Sequence, residues 1–189
     1  MKLNNNYFTL RHGETIYNKK DLMYPYPERP GVAMIDKGEK TIEKVAQNLI
    51  NKKIDFIFSS DLFRTRQTAK IVSETIGVKP KFDERLRDTH YGIYFNRPNS
   101  DYNGVFNTAK KKFLERPGDG ENQKDVKDRV EPFFREIENK YKNKNILIIS
   151  HGDPIKLLWG IMAGIKSDKE WIEYLKGESG PKVGELRKI

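Results

Sequence analysis

Apolar positions along the chain follow two periods, and they divide it into alternating strand-like and helix-like stretches. An apolar run from Tyr7 to Leu10 reads as a strand that runs directly into Arg11-His12-Gly13-Glu14-Thr15, with Asn18 in the helical turn expected next. Ile42, Val45, Ala46, Leu49 and Ile50 recur at helical spacing behind Asp36-Lys37-Gly38-Glu39, which reads as a capping box. Ile54 to Phe58 is a short β-run. Ser59-Ser60-Asp61 then reads as the cap of a helix carrying Leu62, Arg64, Gln67, Thr68, Ala69, Val72 and Ile76, with Gly77 as its terminator. Tyr102, Phe106, Ala109 and Phe113 make one further helical stripe. Val126, Val130, Phe133, Ile137 and Tyr141 mark a long helix with Pro132 inside it as an expected kink. Ile146-Leu147-Ile148-Ile149 is the most apolar short run, hence the expected central parallel strand. It ends in Ser150-His151-Gly152-Asp153-Pro154, with Pro154 suited to a first helical position and Leu157, Leu158, Ile161 and Met162 as a buried face. Ser167-Asp168-Lys169-Glu170 caps a last short helix. The tail from Gly180 is left open between an edge strand and a frayed end. Residues 24–30, with three prolines, and residues 80–97 read as irregular.

This alternation predicts an α/β chain, a three-layer α/β/α sandwich around a largely parallel (mixed) sheet, with residues 1–189 forming a single domain. In such sheets the strand-to-helix turns gather at the carboxyl edge, where ligands bind. Arg11 and His12 end one strand, Arg64 lies in the first turn after another, and His151 ends the central one. Two guanidiniums and two imidazoles in one crevice repel a metal ion but suit a phosphoryl group, whose oxygens gain negative charge as it transfers.

Composition changes this picture little. The chain has 189 residues, no cysteine and three histidines, so it has no disulfide framework, no thiolate nucleophile and no metal-ligand spacing. No run reaches membrane-spanning length and residues 1–6 lack the apolar core of a signal peptide, so a cytoplasmic protein is expected. The net charge of +9 raises nucleic acid as a partner. The excess is mostly scattered lysine, as in Lys110-Lys111-Lys112, with no nucleic-acid motif around it, so it reads as a solvated surface that mildly steers anionic substrates. A small phosphorylated metabolite is the expected partner, and the oligomeric state is left open.

Four segments together resemble the histidine phosphatase superfamily, which includes the cofactor-dependent phosphoglycerate mutases: Leu10-Arg11-His12-Gly13-Glu14-Thr15 with Asn18, Ser59-Ser60-Asp61-Leu62-Phe63-Arg64-Thr65-Arg66-Gln67-Thr68-Ala69, Leu86-Arg87-Asp88, and Ser150-His151-Gly152. The Pro117-Gly118-Asp119-Gly120-Glu121 turn is similar to the family's pattern as well. The resemblance implies a phosphoglycerate mutase-like fold and phosphoryl transfer without metal or other cofactor. It further implies that His12 becomes phosphohistidine, while Arg11, Asn18, Arg64, His151 and the Gly152 amide hold the phosphoryl oxygens. A neutral imidazole is a competent nucleophile, and surrounding cations help keep His12 unprotonated. Asp88 matches the position where the family commonly has a glutamate as general acid and base, one methylene longer; Glu84 and Glu121 are the alternatives. Thr15 and Tyr91 are expected to bind substrate, although Thr15 and Glu14 also read as helix-opening residues. His90 is expected to play a supporting role, and Trp159, Met162 and Trp171 to lie in the core.

Thr89 stands where mutases carry an arginine for the acid end of their substrate, and the basic insertion that follows in mutases is missing, so a phosphatase is the expected activity. A mutase, and a weakly active phosphate-binding or interaction module, are the alternatives. Selectivity falls to residues 21–35 and 91–106, where Tyr24, Tyr26, Tyr91, Tyr94 and Phe95 either stack on a ligand or pack on one another.

Overall fold

The computed structural model describes residues 2–25, 28 and 32–189. Its sheet comprises β1 (Asn6–Arg11), β2 (Phe56–Ser59), β3 (Pro80–Phe82), β4 (Asn145–Ser150) and β5 (Leu186–Lys188), in the order β3-β2-β4-β1-β5. β4 is parallel to both β1 and β2, and β2 is parallel to β3; β5 alone runs antiparallel, against β1. The expected mixed, mostly parallel sheet is therefore present. The helices are α1 (Ile16–Lys19), α2 (Asp36–Leu49), α3 (Phe63–Ile76), α4 (Asn99–Val105), α5 (Ala109–Leu114), α6 (Gln123–Lys140), α7 (Gly152–Ala163) and α8 (Asp168–Gly177).

The period-2 alternation of side chains explains the three layers. Phe8 and Leu10 of β1, Ile57 of β2, and Leu147 and Ile149 of β4 face Ile42, Ala46 and Leu49 of α2 and Ala69 and Val72 of α3. Their neighbours Tyr7, Phe58, Ile146 and Ile148 face the other way, against Val130, Phe133 and Ile137 of α6 and Leu157, Leu158 and Ile161 of α7. Both faces of β4 are thus buried, as a continuous Ile-Leu-Ile-Ile run requires. Because β1, β2 and β4 are adjacent and parallel, their carboxyl ends deliver His12, Ser60 and His151 to one edge. Arg11 pairs with Ser150 in register, one residue before each histidine.

Several local expectations are corrected. The capping box read at Asp36 is absent: Ile35 is the N-cap and makes no side-chain bond, with Asp36 and Glu39 lying in the helix's first turn. Leu62, rather than Ser59-Ser60-Asp61, caps α3. Packing on the sheet holds α2 without a side-chain cap, and the first N–H of α3, on Phe63, is met by the Glu28 carboxylate from a distant loop. Ile50 is exposed, because the chain leaves α2 at Leu49 for a short 3₁₀ turn. The single stripe read from Tyr102 to Phe113 is two helices, broken where Phe106, stacked on Tyr102 one turn back, leaves helical geometry and Thr108 caps α5. Pro80–Phe82, read as irregular, is an edge strand, where the missing N–H of Pro80 is tolerated. Pro154 is the third residue of α7, not its first, because His151 is the N-cap. The cap at Ser167 is a full capping box as expected, and the tail forms β5. Trp159, Met162 and Trp171 are buried, with the Trp159 indole donating to Thr9. Of the proline-rich loop, Tyr26, Pro27, Arg29, Pro30 and Gly31 lie outside the described residues. No helix among the described residues is long and apolar enough to cross a membrane.

Gly160 shows how closely the outer helices pack. A Cβ there would stand 2.4 Å from Cζ3 of buried Trp171. Gly160→Ala should therefore lower stability by about 1–3 kcal/mol, since overpacking outweighs alanine's better helix propensity. Urea denaturation measures the change, and a stabilised variant would contradict this packing.

Candidate active site

The buried imidazole of His12 is fixed from below. Its Nδ1 donates to the Gly13 carbonyl at 2.9 Å, which leaves Nε2 as the nitrogen carrying the free lone pair. That turn needs glycine: a Cβ on Gly13 would lie 2.5 Å from the Met34 sulfur and 2.8 Å from Ile42. The His12 and His151 ring centroids lie 5.3 Å apart. His151 Nε2 is within 2.9 Å of the Ser60 hydroxyl, and its Nδ1 points away from that bond.

Arg64, although 1% exposed, touches two carboxylates and a ring. One terminal nitrogen donates to Asp88 at 2.8 Å and the other to Glu28 at 2.5 Å, while the guanidinium carbon lies 3.7 Å from the centroid of the Tyr24 ring. Glu28 also accepts from the backbone N–H of Phe63 at the start of α3. Arg11 is anchored by the tail, donating to the Pro181 carbonyl at 2.9 Å, while Gly184 N–H donates to the carbonyls of Arg11 and His12. Gly152 lies beside the Arg11 guanidinium, where even a Cβ would stand 3.5 Å from the nearest guanidinium nitrogen.

Among the described residues, four buried side-chain nitrogens have no hydrogen-bond partner: Arg11 Nε, His12 Nε2, Arg64 Nε and His151 Nδ1. Buried polar atoms are rarely left so, since each costs the desolvation of a group that water would otherwise satisfy. Here the four belong to the residues that the strand termini bring together. They form a cationic, donor-rich cradle shaped for an oxyanion.

The electrostatics follow from burial among cations. Burial first, then the charges of Arg64 and Arg11, push His12 well below its ordinary range, and the same causes with His12 itself lower His151. Asp88 is raised, chiefly by burial and further by the Asp153 charge, against the opposing pull of Arg64 and Arg11. One of its oxygens meets Arg64 and the other accepts from Thr89 N–H, and His151 Nδ1 is 3.8 Å from the former.

A crevice of about 750 Å³ opens from this cradle, lined near its base by Arg11, Asn18, Asp88, Gly152 and Asp153. Tyr24 and Tyr91 form part of its wall. The structure thus brings Arg11, His12, Arg64, Asp88 and His151 together, with Asn18, Tyr91 and Gly152 at the crevice. Thr15 is different. It is fully buried as the N-cap of α1, as its helix-opening reading expects, and its hydroxyl is engaged with Asn18 and Tyr24. The Asn18 Oδ1 accepts from Thr15 and Tyr24, which leaves its amide NH₂ to offer. Glu84 points to Arg87 on the surface, and Glu121 accepts from His90 N–H and Arg129 outside the crevice.

Three participants were not singled out from the sequence. Glu28 reaches Arg64 from the proline-rich loop. Asp153 lies at the crevice floor, accepting from Thr89, Tyr91 and Gln123. Ser60 holds His151. Only Ser60, at a strand terminus, carried a signal that could have pointed to it.

A cradle for a tetrahedral oxyanion at the carboxyl edge of a parallel sheet, with a bare imidazole nitrogen inside it, defines a phosphoryl-handling α/β protein. The comparisons agree: the model of the histidine phosphatase superfamily (branch 1) matches residues 7–175, and the chain belongs to that family. A probable phosphoglycerate mutase GpmB of Yersinia enterocolitica is 38% identical over 91 residues, 48% of this chain and 41% of that protein. Its counterpart in Yersinia pestis is 27% identical over 168 residues, covering 86% of this chain and 77% of that one. Among solved structures, a mycobacterial glucosyl-3-phosphoglycerate phosphatase with VO₃ superposes with a TM-score of 0.84 at 22% identity, covering 97% of this chain and 90% of that one. The α-ribazole phosphatase of Shigella flexneri gives 0.80 at 21% identity, over 97% and 89%. At that identity both comparisons speak to the fold.

The lowered histidines make stability pH-dependent. Their native proton affinity lies below the unfolded value of about 6.5, so protons are taken up on unfolding and stability is complete above that pH and falls below it. Each histidine contributes a slope of up to about 1.4 kcal/mol per pH unit. Urea titrations at about pH 7.5 and about pH 5.5 should show the loss, and His12→Asn/His151→Asn should shrink it. An undiminished slope in the variant would assign the effect elsewhere.

Proposed function

We propose that this chain is a metal-independent phosphomonoester hydrolase, a single domain over residues 1–189, that works through a phosphohistidine on His12 with Asp88 as general acid and base. The observation that carries the reading is the cradle of four unpartnered nitrogens, with His12 Nε2 among them and held bare by the Nδ1 bond to Gly13. His12 Nε2 attacks phosphorus and the P–O bond to the leaving group breaks. Protonated Asp88 delivers its proton to the departing oxygen. Water then attacks the phosphohistidine, giving its proton to the Asp88 carboxylate, and the P–N bond breaks to release orthophosphate. Arg11, Arg64, His151, the Asn18 amide and the Gly152 N–H supply donors for the equatorial oxygens, which are most negative in the transition state. Burial and Asp153 favour the protonated form of Asp88 that the first step needs. The substrate is a small phosphorylated metabolite, with Tyr91 at its flank.

Mutase chemistry is the second reading, favoured by the names of the Yersinia relatives. Thr89 weighs against it. Where the mutase resemblance would place an arginine, this hydroxyl donates to Asp153 at 3.0 Å, so the position offers no cation to a substrate's acid end.

His12→Ala should lose turnover of p-nitrophenyl phosphate. Asp88→Asn should be severely slowed with alkyl phosphates yet much less with p-nitrophenyl phosphate, whose leaving oxygen scarcely needs a proton. Steady-state kinetics over a leaving-group series measures this dependence. Robust hydrolysis by His12→Ala, or a flat leaving-group dependence in Asp88→Asn, would overturn the assignment.

A further inference from the structure

Burial, then the charges of Arg64, His12, Arg11 and Arg129, keep His151 neutral. A neutral imidazole carries one proton on one of two nitrogens, and the choice decides whether the ring meets an oxyanion with a donor or with a lone pair. For His12 the choice is made by the Gly13 carbonyl, which can only accept. The partner of His151 is a hydroxyl, which can serve either way.

The surroundings of Ser60 decide it. Ser60 is completely buried just past the end of β2, and its N–H donates to the Ile149 carbonyl at 3.0 Å, continuing the ladder that pairs Ser59 with Ile149. Its carbonyl accepts from the hydroxyls of Ser59 and Thr65, at 2.9 Å each, so its backbone is fixed beside the terminus of β4. Its Oγ accepts the N–H of Leu62, the N-cap of α3, at 3.4 Å. Among the described residues, the one acceptor within bonding distance of the Ser60 proton is His151 Nε2, at 2.9 Å. A buried O–H is seldom left without an acceptor, and the opposite arrangement would give Oγ two donors and strand its proton. Donation from Ser60 to Nε2 puts the ring proton on Nδ1. That nitrogen is one of the four without a partner, and it lies 3.8 Å from Asp88 Oδ2, an oxygen that repels a lone pair and attracts an N–H.

We infer that Ser60 is a positioning residue that fixes His151 as the Nδ1–H tautomer, so that the ring presents a neutral N–H donor to a phosphoryl oxygen in the cradle. At 3.8 Å the contact with Asp88 is longer than a hydrogen bond, so an arriving oxyanion takes this N–H without displacing a formed one. Both site histidines then carry their proton on Nδ1, with opposite effects: in His12 it bares Nε2 for attack, and in His151 it makes Nδ1 a donor. The kinetic consequence rests on the proposed phosphatase reading, whereas the place of the proton is a property of the free protein.

Long-range proton–nitrogen correlation on protein labelled with the heavy nitrogen isotope reads the tautomer of each of the three histidines, with His12→Ala and His90→Gln assigning the signals. At about pH 7.5, above the unfolded histidine value of about 6.5, His151 should show a bare Nε2 and a protonated Nδ1. Ser60→Ala should move both nitrogens toward the averaged pattern of two exchanging tautomers, and Ser60→Cys, a weaker donor of similar size, should fall between. Ser59→Ala, which removes the neighbouring buried hydroxyl, should leave them in place. With p-nitrophenyl phosphate, Ser60→Ala should lower kcat about tenfold and keep KM within about twofold, because the donor matters most where the oxygens are most negative. For the same reason it should weaken vanadate about tenfold and orthophosphate by less than about threefold. Failure of the phosphatase reading would appear as an intact protein without turnover, while the spectra and the vanadate comparison still read the tautomer. A proton on His151 Nε2 or an imidazolium in the intact protein, an unchanged spectrum in both Ser60 variants, the same change in Ser59→Ala, or a raised KM at unchanged kcat would overturn the inference.

Discussion

The structure depends on the confinement of Arg64, a guanidinium buried almost completely beside a second one and two imidazoles. Such a charge is tolerated only where opposite charge and ordered acceptors meet it at close range. Asp88 and Glu28 do so from two sides and the Tyr24 ring covers its face, while its Nε is left without a partner toward the cradle. The consequence spreads outward. The same positive field, added to burial, keeps His12 and His151 neutral, and a neutral imidazole with its Nδ1 bound to a carbonyl is a ready nucleophile at Nε2.

The sheet makes this confinement possible. Three adjacent parallel strands end at one edge, each followed by a turn into a helix, so residues far apart in sequence arrive together without long side-chain reaches. The tail completes the arrangement: Gly184 N–H donates to the backbone carbonyls of both Arg11 and His12 before the chain enters β5. Arg11 is thereby gripped from the strand beside it and from Pro181 above.

The elements that carry the site were legible because each is a local event. A hydrophobic run that stops at Arg11-His12-Gly13, or at Ser150-His151-Gly152, announces a strand terminus wherever it lies. The placement of Arg11, His12, Arg64 and His151 at one edge followed from that pattern and the rule of parallel sheets, and the resemblance added Asp88. What local pattern could not supply was the side chain's choice of partner. Thr15 carries a hydroxyl suited to a ligand or to a helix start, and its closeness to Asn18 and Tyr24 settled it as a cap. Asp36 and Ser59 carry cap-forming side chains that do not cap: packing already holds α2, and at α3 the distant Glu28 meets the first N–H instead. The break between α4 and α5 falls at Phe106, whose backbone leaves helical geometry before Thr108 caps the next helix, and helical spacing alone cannot distinguish that from a continuing helix. Glu28 and Asp153 escaped for the same reason: one is a loop carboxylate and the other a helix-start carboxylate in sequence, and only the fold reveals what each of them faces.

The central claim is that His12 Nε2 bonds covalently to phosphorus, and trapping that bond tests it most directly. A rapid acid-free quench during turnover of a labile phosphomonoester, followed by peptide mass spectrometry, should find one phosphoryl group on the peptide carrying His12, stable to base and lost in acid. It should be absent in His12→Ala. A phosphoryl group on any other residue, or turnover with single inversion at a chiral phosphorus and no covalent adduct, would contradict the account.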